Sequence, residues 1–306
     1  SDLTVEISET GVSPFPSDTS HTILNGLSFS IAEDADPHMG WFALTVNVEG
    51  EVFASDTISV VIGKMPVLIV DDDEGTRNAD LFYSGILDEM NVLYGKWDHI
   101  GSGSPSREAL SNFPIVVWLC EWAFPSLDAN DRDALRDYMD NGGNLYISGQ
   151  DLGWDLNENP GDEDQTTFFT DYLHAQWGGD HAGTDWVEGV HGDPIGDGLS
   201  FNVYQPELPS SNQYPDWFTP DEESHLIFHY DNGLGFGLRY EGDYRLVYTG
   251  MGLEAMGSDM YSTAPEDINN YQRTALTRIL GYLNFIHHDP LMDTENFASD
   301  FEINAQ

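Results

Sequence analysis

The stretch PVLIVDDDEG, residues 66–75, determines how the rest of the chain is interpreted. Four apolar residues run directly into four carboxylates and a glycine, a pattern typical of a strand that is buried on both faces and ends in a functional loop. Apolar residues at helical spacing follow, from Leu81 to Met90. In open α/β sheets, ligands bind where parallel strands end. The stretch therefore supplies the first candidate metal ligands: Asp71, Asp72, Asp73 and Glu74.

The charge balance excludes some classes of partner. The 306 residues include 54 Asp plus Glu against 10 Lys plus Arg, which gives a formal net charge of -44. Such a surface repels nucleic acid and anionic membranes, so a nucleic-acid partner is not expected. The acids fit either a solvated surface suited to a salty medium or carboxylate loops that hold Ca²⁺, and the two explanations are compatible. No apolar stretch approaches the ~18 residues of a membrane span.

The sequence divides into segments of different periodicity. Residues 1–63 alternate apolar with polar side chains and predict a small N-terminal Ig-like antiparallel β domain with four or five strands, which leaves a sheet edge open. Residues 66–285 alternate strands with helices and predict an α/β domain, a flavodoxin-like parallel sheet with helices on both faces. Within it, residues 149–223 form an irregular insertion over the carboxyl edge. Residues 286–306 are an acidic C-terminal tail.

Four segments of the second domain together resemble the class I glutamine amidotransferase-like fold, in its ThuA-like and secreted-peptidase-associated branch. They are VLIVDDD at 67–73, IVVW at 115–118, YMDNGG at 138–143 and LYISGQ at 145–150. The resemblance implies the predicted α/β architecture. It also implies a site in which a Cys on a strand-to-helix turn is activated by a His and a Glu.

The residues of that site are not found in this chain. The turn after the fourth strand carries Ser148, Gly149 and Gln150 instead of a Cys, and the segment that resembles the His-and-Glu motif offers Glu254 without a His. Without a base, a serine hydroxyl is a poor nucleophile. Ser148 is therefore expected to be structural, and Cys120, within an apolar run, is expected to be a buried thiol.

Further acids are expected at the carboxyl edge. Glu121 ends the third strand and Asp151 follows the fourth, so in a parallel sheet both join the acids of residues 71–74. Crowded carboxylates raise one another's pKa or bind a cation. The alternative is that only one or two point inward, while the others cap helices or face water.

A second candidate is the segment DLNENPGDED, residues 155–164. Oxygen-bearing side chains at alternate positions resemble a Ca²⁺ loop, although Gly161 lies one place late for an EF-hand and no Glu stands at the twelfth position. An acidic turn is the alternative. The candidate ligands here are Asp155, Asn157, Asn159 and Asp162. A zinc site is not indicated, because there is no HExxH motif and no Cys pair.

These observations favour a secreted, non-catalytic structural protein that binds Ca²⁺. Its acidic tail is expected to add as a strand to the open β edge of a neighbouring copy, which would build an extracellular fibre or tube. One competing hypothesis is a secreted hydrolase of sugar or peptide that uses Asp and Glu as acid and base. A third is an accessory domain of a larger secreted peptidase precursor.

Overall fold

This computed structural model describes residues 3–7, 27–31, 37–48, 51–75, 78–203, 214, 216–256 and 270–285, with side chains for 37–38 and from 62 onward within those ranges. The chain divides into two compact units, Ser1–Met65 and Pro66–Gln306. The acidic tail on which the predicted strand addition depends lies outside the described residues.

The first unit contains two antiparallel strand pairs. Its strands are β1 (Leu3–Ile7), β2 (Leu27–Ile31), β3 (His38–Val48) and β4 (Glu51–Ile62). β1 pairs with β2, and β3 pairs with β4. The period-two alternation of apolar residues located all four strands. The described pairs form two separate two-stranded sheets, and an Ig-like sandwich stays a prediction.

The second unit begins with alternating strands and helices. In chain order these are β5 (Val67–Asp71), α1 (Ala79–Glu89), β6 (Tyr94–Asp98), α2 (His99–Ser102), α3 (Arg107–Leu110), β7 (Ile115–Glu121), α4 (Ala129–Asp140), β8 (Asn144–Gly149), α5 (Leu152–Glu158) and α6 (Glu163–Asp171). There follow β9 (Ala175–Gly179), β10 (Trp186–Gly189), β11 (Ser200–Asn202), β12 (Trp217–Pro220), β13 (Ser224–Tyr230), β14 (Gly235–Glu241), β15 (Arg245–Thr249), a 3-10 turn (Leu253–Ala255) and α7 (Asn270–Tyr282).

The sheet has a parallel half with the flavodoxin-like strand order. β6, β5, β7, β8 and β15 are adjacent in that order and pair in parallel. Numbered by their place in the parallel half, this is the order 2-1-3-4-5. The predicted α/β fold class is therefore confirmed.

The other half of the sheet is antiparallel, whereas the sequence predicts a parallel sheet for this domain. A turn between Glu241 and Arg245 reverses the chain, so β14 runs antiparallel to β15, and β13, β10 and β11 continue the sheet. β12 pairs with β14 and β9. The segment 149–223 therefore adds strands to the sheet as well as helices.

Helices cover both faces of the parallel half. Val67 and Ile69 pack in one core with residues of α1 and α7. Leu68 and Val70 point to the other face and pack with residues of α4, α5 and α6. Because both faces are buried, the strand reads as a continuous apolar run, and its carboxyl end delivers the acids to one edge.

Two helix starts are fixed by capping boxes. The Asp128 side chain accepts from the amide of Asp131 at 2.9 Å, and Asp131 accepts in return from the amide of Asp128 at 2.8 Å, so α4 starts directly after Asp128. Asp162 and Gln165 form the second box. α6 therefore starts directly after Asp162. Among the described residues, no helix combines the length and apolar character needed to span a bilayer.

Candidate metal centre

The carboxyl edge of the parallel strands carries strained backbone. Glu74 after β5, Glu121 at the end of β7 and Asp151 after β8 all have positive φ angles, of 54°, 44° and 61°. Such conformations cost about 1–3 kcal/mol each in residues other than glycine and cluster at functional sites. The strain therefore marks the edge where the sequence places its acids.

One acidic group at this edge is neutralised by a histidine. His99 Nδ1 lies 3.0 Å from Asp72 Oδ1, and His99 Nε2 lies 2.9 Å from Asp131 Oδ1. Both carboxylates are buried. Hydrogen bonds to Asp131 and Asp72 raise the pKa of His99 to about 10. His99 is therefore an imidazolium that donates from both nitrogens and has no lone pair left for a metal.

Each carboxylate of this ion cluster also accepts a hydrogen bond from a second donor. Asp72 Oδ2 accepts from Trp118 Nε1 at 3.0 Å, while Asp131 Oδ2 accepts from the amide of Asp128. Burial raises the pKa of Asp72 to about 6, and the hydrogen bond from His99 opposes that rise. The cluster joins the end of β5 to α2 and α4, so its role is structural.

The cluster predicts a pH-dependent stability. The pKa of His99 is about 10 in the folded protein against 6.5 for a free histidine, so its contribution is complete below about pH 6.5 and is lost as the pH rises through about 10. The difference in unfolding free energy between wild type and His99→Gln, from urea titrations at pH 6 to 10.5, should fall across that window. A difference that stays constant would contradict the doubly bonded imidazolium.

A second group contains three aspartates from three elements. One carboxylate oxygen each of Asp151, Asp180 and Asp216 lies within 4.8 Å of the others. Asp151 directly precedes α5, Asp180 follows β9, and Asp216 precedes β12. The β9–β12 ladder pairs Trp217 with Gly179 and so brings two of the three acids together.

Asp216 is the most deeply buried of the three aspartates. It is fully buried, and its Oδ2 accepts from the amide of Trp154 at 3.1 Å. Its Oδ1 is buried and has no hydrogen-bond partner in the described part of the chain. The hydroxyl of Tyr248 is likewise buried and without a partner there, and its pKa is raised first by burial and then by Asp216. Buried polar atoms normally have partners, so this region needs a further ligand.

The electrostatics of the three aspartates point to a missing positive charge. Burial, followed by Asp180 and Asp155, raises the pKa of Asp151 to about 7. Burial and then Asp151 raise the pKa of Asp216 well above its usual range. The salt bridges among described residues include no lysine or arginine paired with these three acids. A bound cation would take the place of the protons that such crowded carboxylates otherwise retain.

The four acids of residues 71–74 separate in the structure. Asp72 joins the His99 cluster, Asp73 Oδ1 accepts from the amide of Gly75 at 2.6 Å, and exposed Glu74 accepts from the amide of Phe124 at 3.3 Å. The pKa of Asp71 is raised to about 7 by burial and then by Asp73. The structure does not bring all four to one point, because successive residues of an extended chain point in opposite directions; Asp71 and Asp73, two residues apart, share a side-chain hydrogen bond.

The segment 155–164 is not a loop at its start. Asp155 and Asn157 belong to α5, where side chains two apart do not face each other. Asp155 accepts from the amide of Ser126 at 2.7 Å and from Asn159 Nδ2 at 3.1 Å, while Asn157 donates to the carbonyl of Gly153. Asp162 caps α6. Each predicted ligand of this segment therefore serves the protein's own backbone or a neighbouring side chain.

The sequence reasoning missed Asp180, Asp216 and His99 as site residues. The local signals are weak, namely an aspartate after the WGG of 177–179 and another before Trp217. A Cβ added to Gly178 would lie 2.2 Å from the Trp217 ring, so the glycine is needed for the close approach of that ring. This pairing joins segments about forty residues apart, which no local pattern reveals.

The strand-to-helix turn after β8 carries Asp151 at its strained position. Ser148 lies within β8 and is buried, and Cys120 is fully buried with a thiol pKa raised well above its usual range by burial. Glu254 is buried and accepts from the Tyr83 hydroxyl at 3.1 Å. A thiolate nucleophile at Cys120 is disfavoured by this environment.

Fold and site together define a flavodoxin-like α/β protein with a three-aspartate site at the carboxyl edge of its sheet. No protein-family model and no curated protein matches the chain. Among solved structures, it is similar to a ThuA-like protein from Bacteroides uniformis ATCC 8492 (TM-score 0.47, 14% identity, 72% of this chain and 91% of that chain). Two proteins of Salmonella typhimurium, the second from strain LT2, give TM-scores of 0.42 and 0.44 at 11% and 13% identity, over 80% and 81% of this chain and 96% of each of theirs.

The resemblance to ThuA-like proteins is confirmed at the level of the fold alone. The predicted secretion is contradicted, since both Salmonella proteins are named cytoplasmic proteins. The prediction of secretion rested on the resemblance to modules associated with secreted peptidases, and a resemblance of fold does not determine the compartment.

Proposed function

We propose that this protein binds a divalent cation, with Ca²⁺ as the preferred ion, through Asp151, Asp180 and Asp216. The observation that carries the proposal is the Oδ1 atom of Asp216, which is fully buried and unpartnered within a group of three carboxylates. A buried charged oxygen without a partner costs several kcal/mol, and a cation removes that cost.

The dimensions of the group fit a calcium ion. Ca²⁺ takes six to eight oxygen ligands at about 2.3–2.6 Å, so two ligands on opposite sides of the ion are about 4.6–5.2 Å apart. The three aspartate oxygens lie within 4.8 Å of one another and so fit one coordination sphere. Mg²⁺ binds at about 2.0–2.1 Å in a stricter octahedron and requires a tighter group. Ca²⁺ is proposed as the ion because it is typically held by several protein oxygens, whereas Mg²⁺ keeps several waters and binds through one or two carboxylates.

The proposed role is binding without amidotransferase catalysis. Asp151 lies at the strained strand-to-helix turn, the kind of turn that carries the Cys in the amidotransferase-like site. Its pKa of about 7 makes it a weak nucleophile in the absence of a cation. The three ligands come from the ends of β8 and β9 and the start of β12, so one ion would join three segments of the carboxyl edge.

Calorimetric titration of chelator-treated protein with Ca²⁺ tests the proposal. We expect one saturable site with a Kd of about 10⁻⁵–10⁻³ M, a weaker response to Mg²⁺, and about 2.7 kcal/mol of added stability at 100 times the Kd. Asp180→Asn should abolish the response. Asp133→Asn, which removes an equal charge from a side chain that is 78% exposed, is the matched control and should leave it unchanged. Absence of a saturable site in wild type would refute the proposal.

A further inference from the structure

The loop after β7 and the first turn of α5, which follows Asp151, carry a pair of aromatic rings at right angles. Phe124, in the loop after β7, and Trp154, in the first turn of α5, have ring centroids 6.1 Å apart and an interplanar angle of 82°. Phe124 is 42% exposed. The amide of Trp154 donates to Asp216, so this corner of two rings is tied directly to the metal ligands.

The loop that presents Phe124 is held in place by two carboxylates. The amide of Ser126 donates to Asp155 at 2.7 Å, and the amide of Phe124 donates to exposed Glu74 at 3.3 Å. A second aromatic pair, Trp122 and Tyr214, has centroids 6.0 Å apart, and Tyr214 is 48% exposed. The corner is thus built on anchored backbone, with a negative charge at its edge.

We propose that the corner between Phe124 and Trp154 binds the quaternary ammonium group of a small organic cation. A cation in the corner of two rings at this separation can lie within about 6 Å of both centroids, which is the range of cation–π attraction. Quaternary ammonium groups are recognised in this way because they are large, weakly hydrated and without hydrogen-bond donors.

The chain's own cations occupy other rings. Arg136 lies over Phe168 and Tyr172, and Arg239 and Arg245 lie over Tyr282. Within the described ranges, no lysine or arginine stacks on Phe124 or Trp154. The described lysines and arginines therefore do not compete for these two rings.

The charge of the surroundings selects a cationic ligand over an anionic one. Here the inference rests on the proposed function, because three ionised carboxylates still exceed the charge of one divalent cation. Glu158, which accepts from Trp177 Nε1 at 2.9 Å, and Glu74 add further negative charge. The formal net charge of -44 attracts cations toward the whole surface, and the rings supply the specificity that charge alone lacks.

Choline titrated into the Ca²⁺-loaded protein, followed by tryptophan fluorescence and calorimetry, tests this inference. We expect saturable binding that is at least about tenfold weaker for 3,3-dimethyl-1-butanol, the uncharged analogue of the same shape. Phe124→Leu should weaken choline binding about tenfold while the Ca²⁺ titration is unchanged, and Trp154→Leu should weaken choline binding by a similar factor. Tyr271→Leu removes an aromatic ring that is 48% exposed on α7 and should have no effect.

The two proposals fail separately. Failure of choline to bind, or equal binding of the uncharged analogue, would overturn the ammonium inference and leave the metal site standing. Failure of wild type to bind Ca²⁺ would overturn the metal site. Because Phe124 is a partly exposed loop residue, its variant remains a valid test even where Trp154→Leu does not fold.

Discussion

Replacing His99 by Leu is expected to lower the free energy of unfolding by about 3–5 kcal/mol at pH 7. The change leaves Asp72 and Asp131 as two buried carboxylates without their shared cation; their side chains are only 5% and 1% exposed. Removing one partner of a buried ion cluster costs more than the cluster contributes, because the remaining charges lose solvation without compensation. Urea denaturation of wild type and variant measures the difference.

The chain contains a matched control for this experiment. His191 makes a similar contact with Asp197 at 2.8 Å, but its side chain is 98% exposed and that of Asp197 is 49% exposed. His191→Leu should therefore change stability by less than about 1 kcal/mol. Equal losses in the two variants would show that the burial of the His99 cluster has no energetic importance.

Replacing Asp216 by Asn is expected to raise the stability of the chelator-treated protein at pH 8 and to abolish its response to Ca²⁺. The asparagine carbonyl can still accept from the amide of Trp154, and its NH₂ group can donate toward the neighbouring carboxylates. Burial raises the pKa of the Asp216 carboxyl well above its usual range, so ionising this group at pH 8 costs free energy. Asparagine has no such cost, and we expect the free energy of unfolding to rise by about 1–3 kcal/mol. Thermal unfolding with and without Ca²⁺ measures both effects.

Asp162→Asn is the control for this variant. Asparagine caps helices as well as aspartate does, so α6 should be retained and the response to Ca²⁺ should be that of wild type. The same variant tests the predicted Ca²⁺ loop at residues 155–164. Loss of the Ca²⁺ response in Asp162→Asn would place the ion in that segment, whereas a loss of apo stability in Asp216→Asn would mean that Asp216 is a structural carboxylate.

The sequence was sufficient for the parallel half of the sheet. The apolar run at 67–70 is a strand buried on both faces, as its composition predicts. The N-cap residue Asp128 defines where α4 starts. Leu81 shows the limit of periodicity, since it fits the apolar spacing of α1 yet is 42% exposed. Helical spacing predicts which side of a helix is apolar, but it does not predict how many residues on that side are buried.

The site could be predicted only in part, because its ligands are joined by tertiary structure. Asp151 was found since it directly follows a strand. Asp180 and Asp216 come together through the β9–β12 ladder. His99, in α2, contacts Asp131, in α4. Local patterns report strand ends and caps, but pairings between distant segments depend on packing that no short window contains. For the same reason, the alternate oxygen-bearing side chains of Asp155 and Asn157, which lie on α5, resembled a Ca²⁺ loop in the sequence.

The central claim is that a calcium ion lies among Asp151, Asp180 and Asp216. Long-wavelength anomalous diffraction from crystals grown with Ca²⁺ tests it most directly. We expect an anomalous peak about 2.3–2.6 Å from one oxygen of each of the three carboxylates, including the Oδ1 atom of Asp216. A map with no peak at this position, or with its only ordered peak elsewhere on the acidic surface, would contradict the claim.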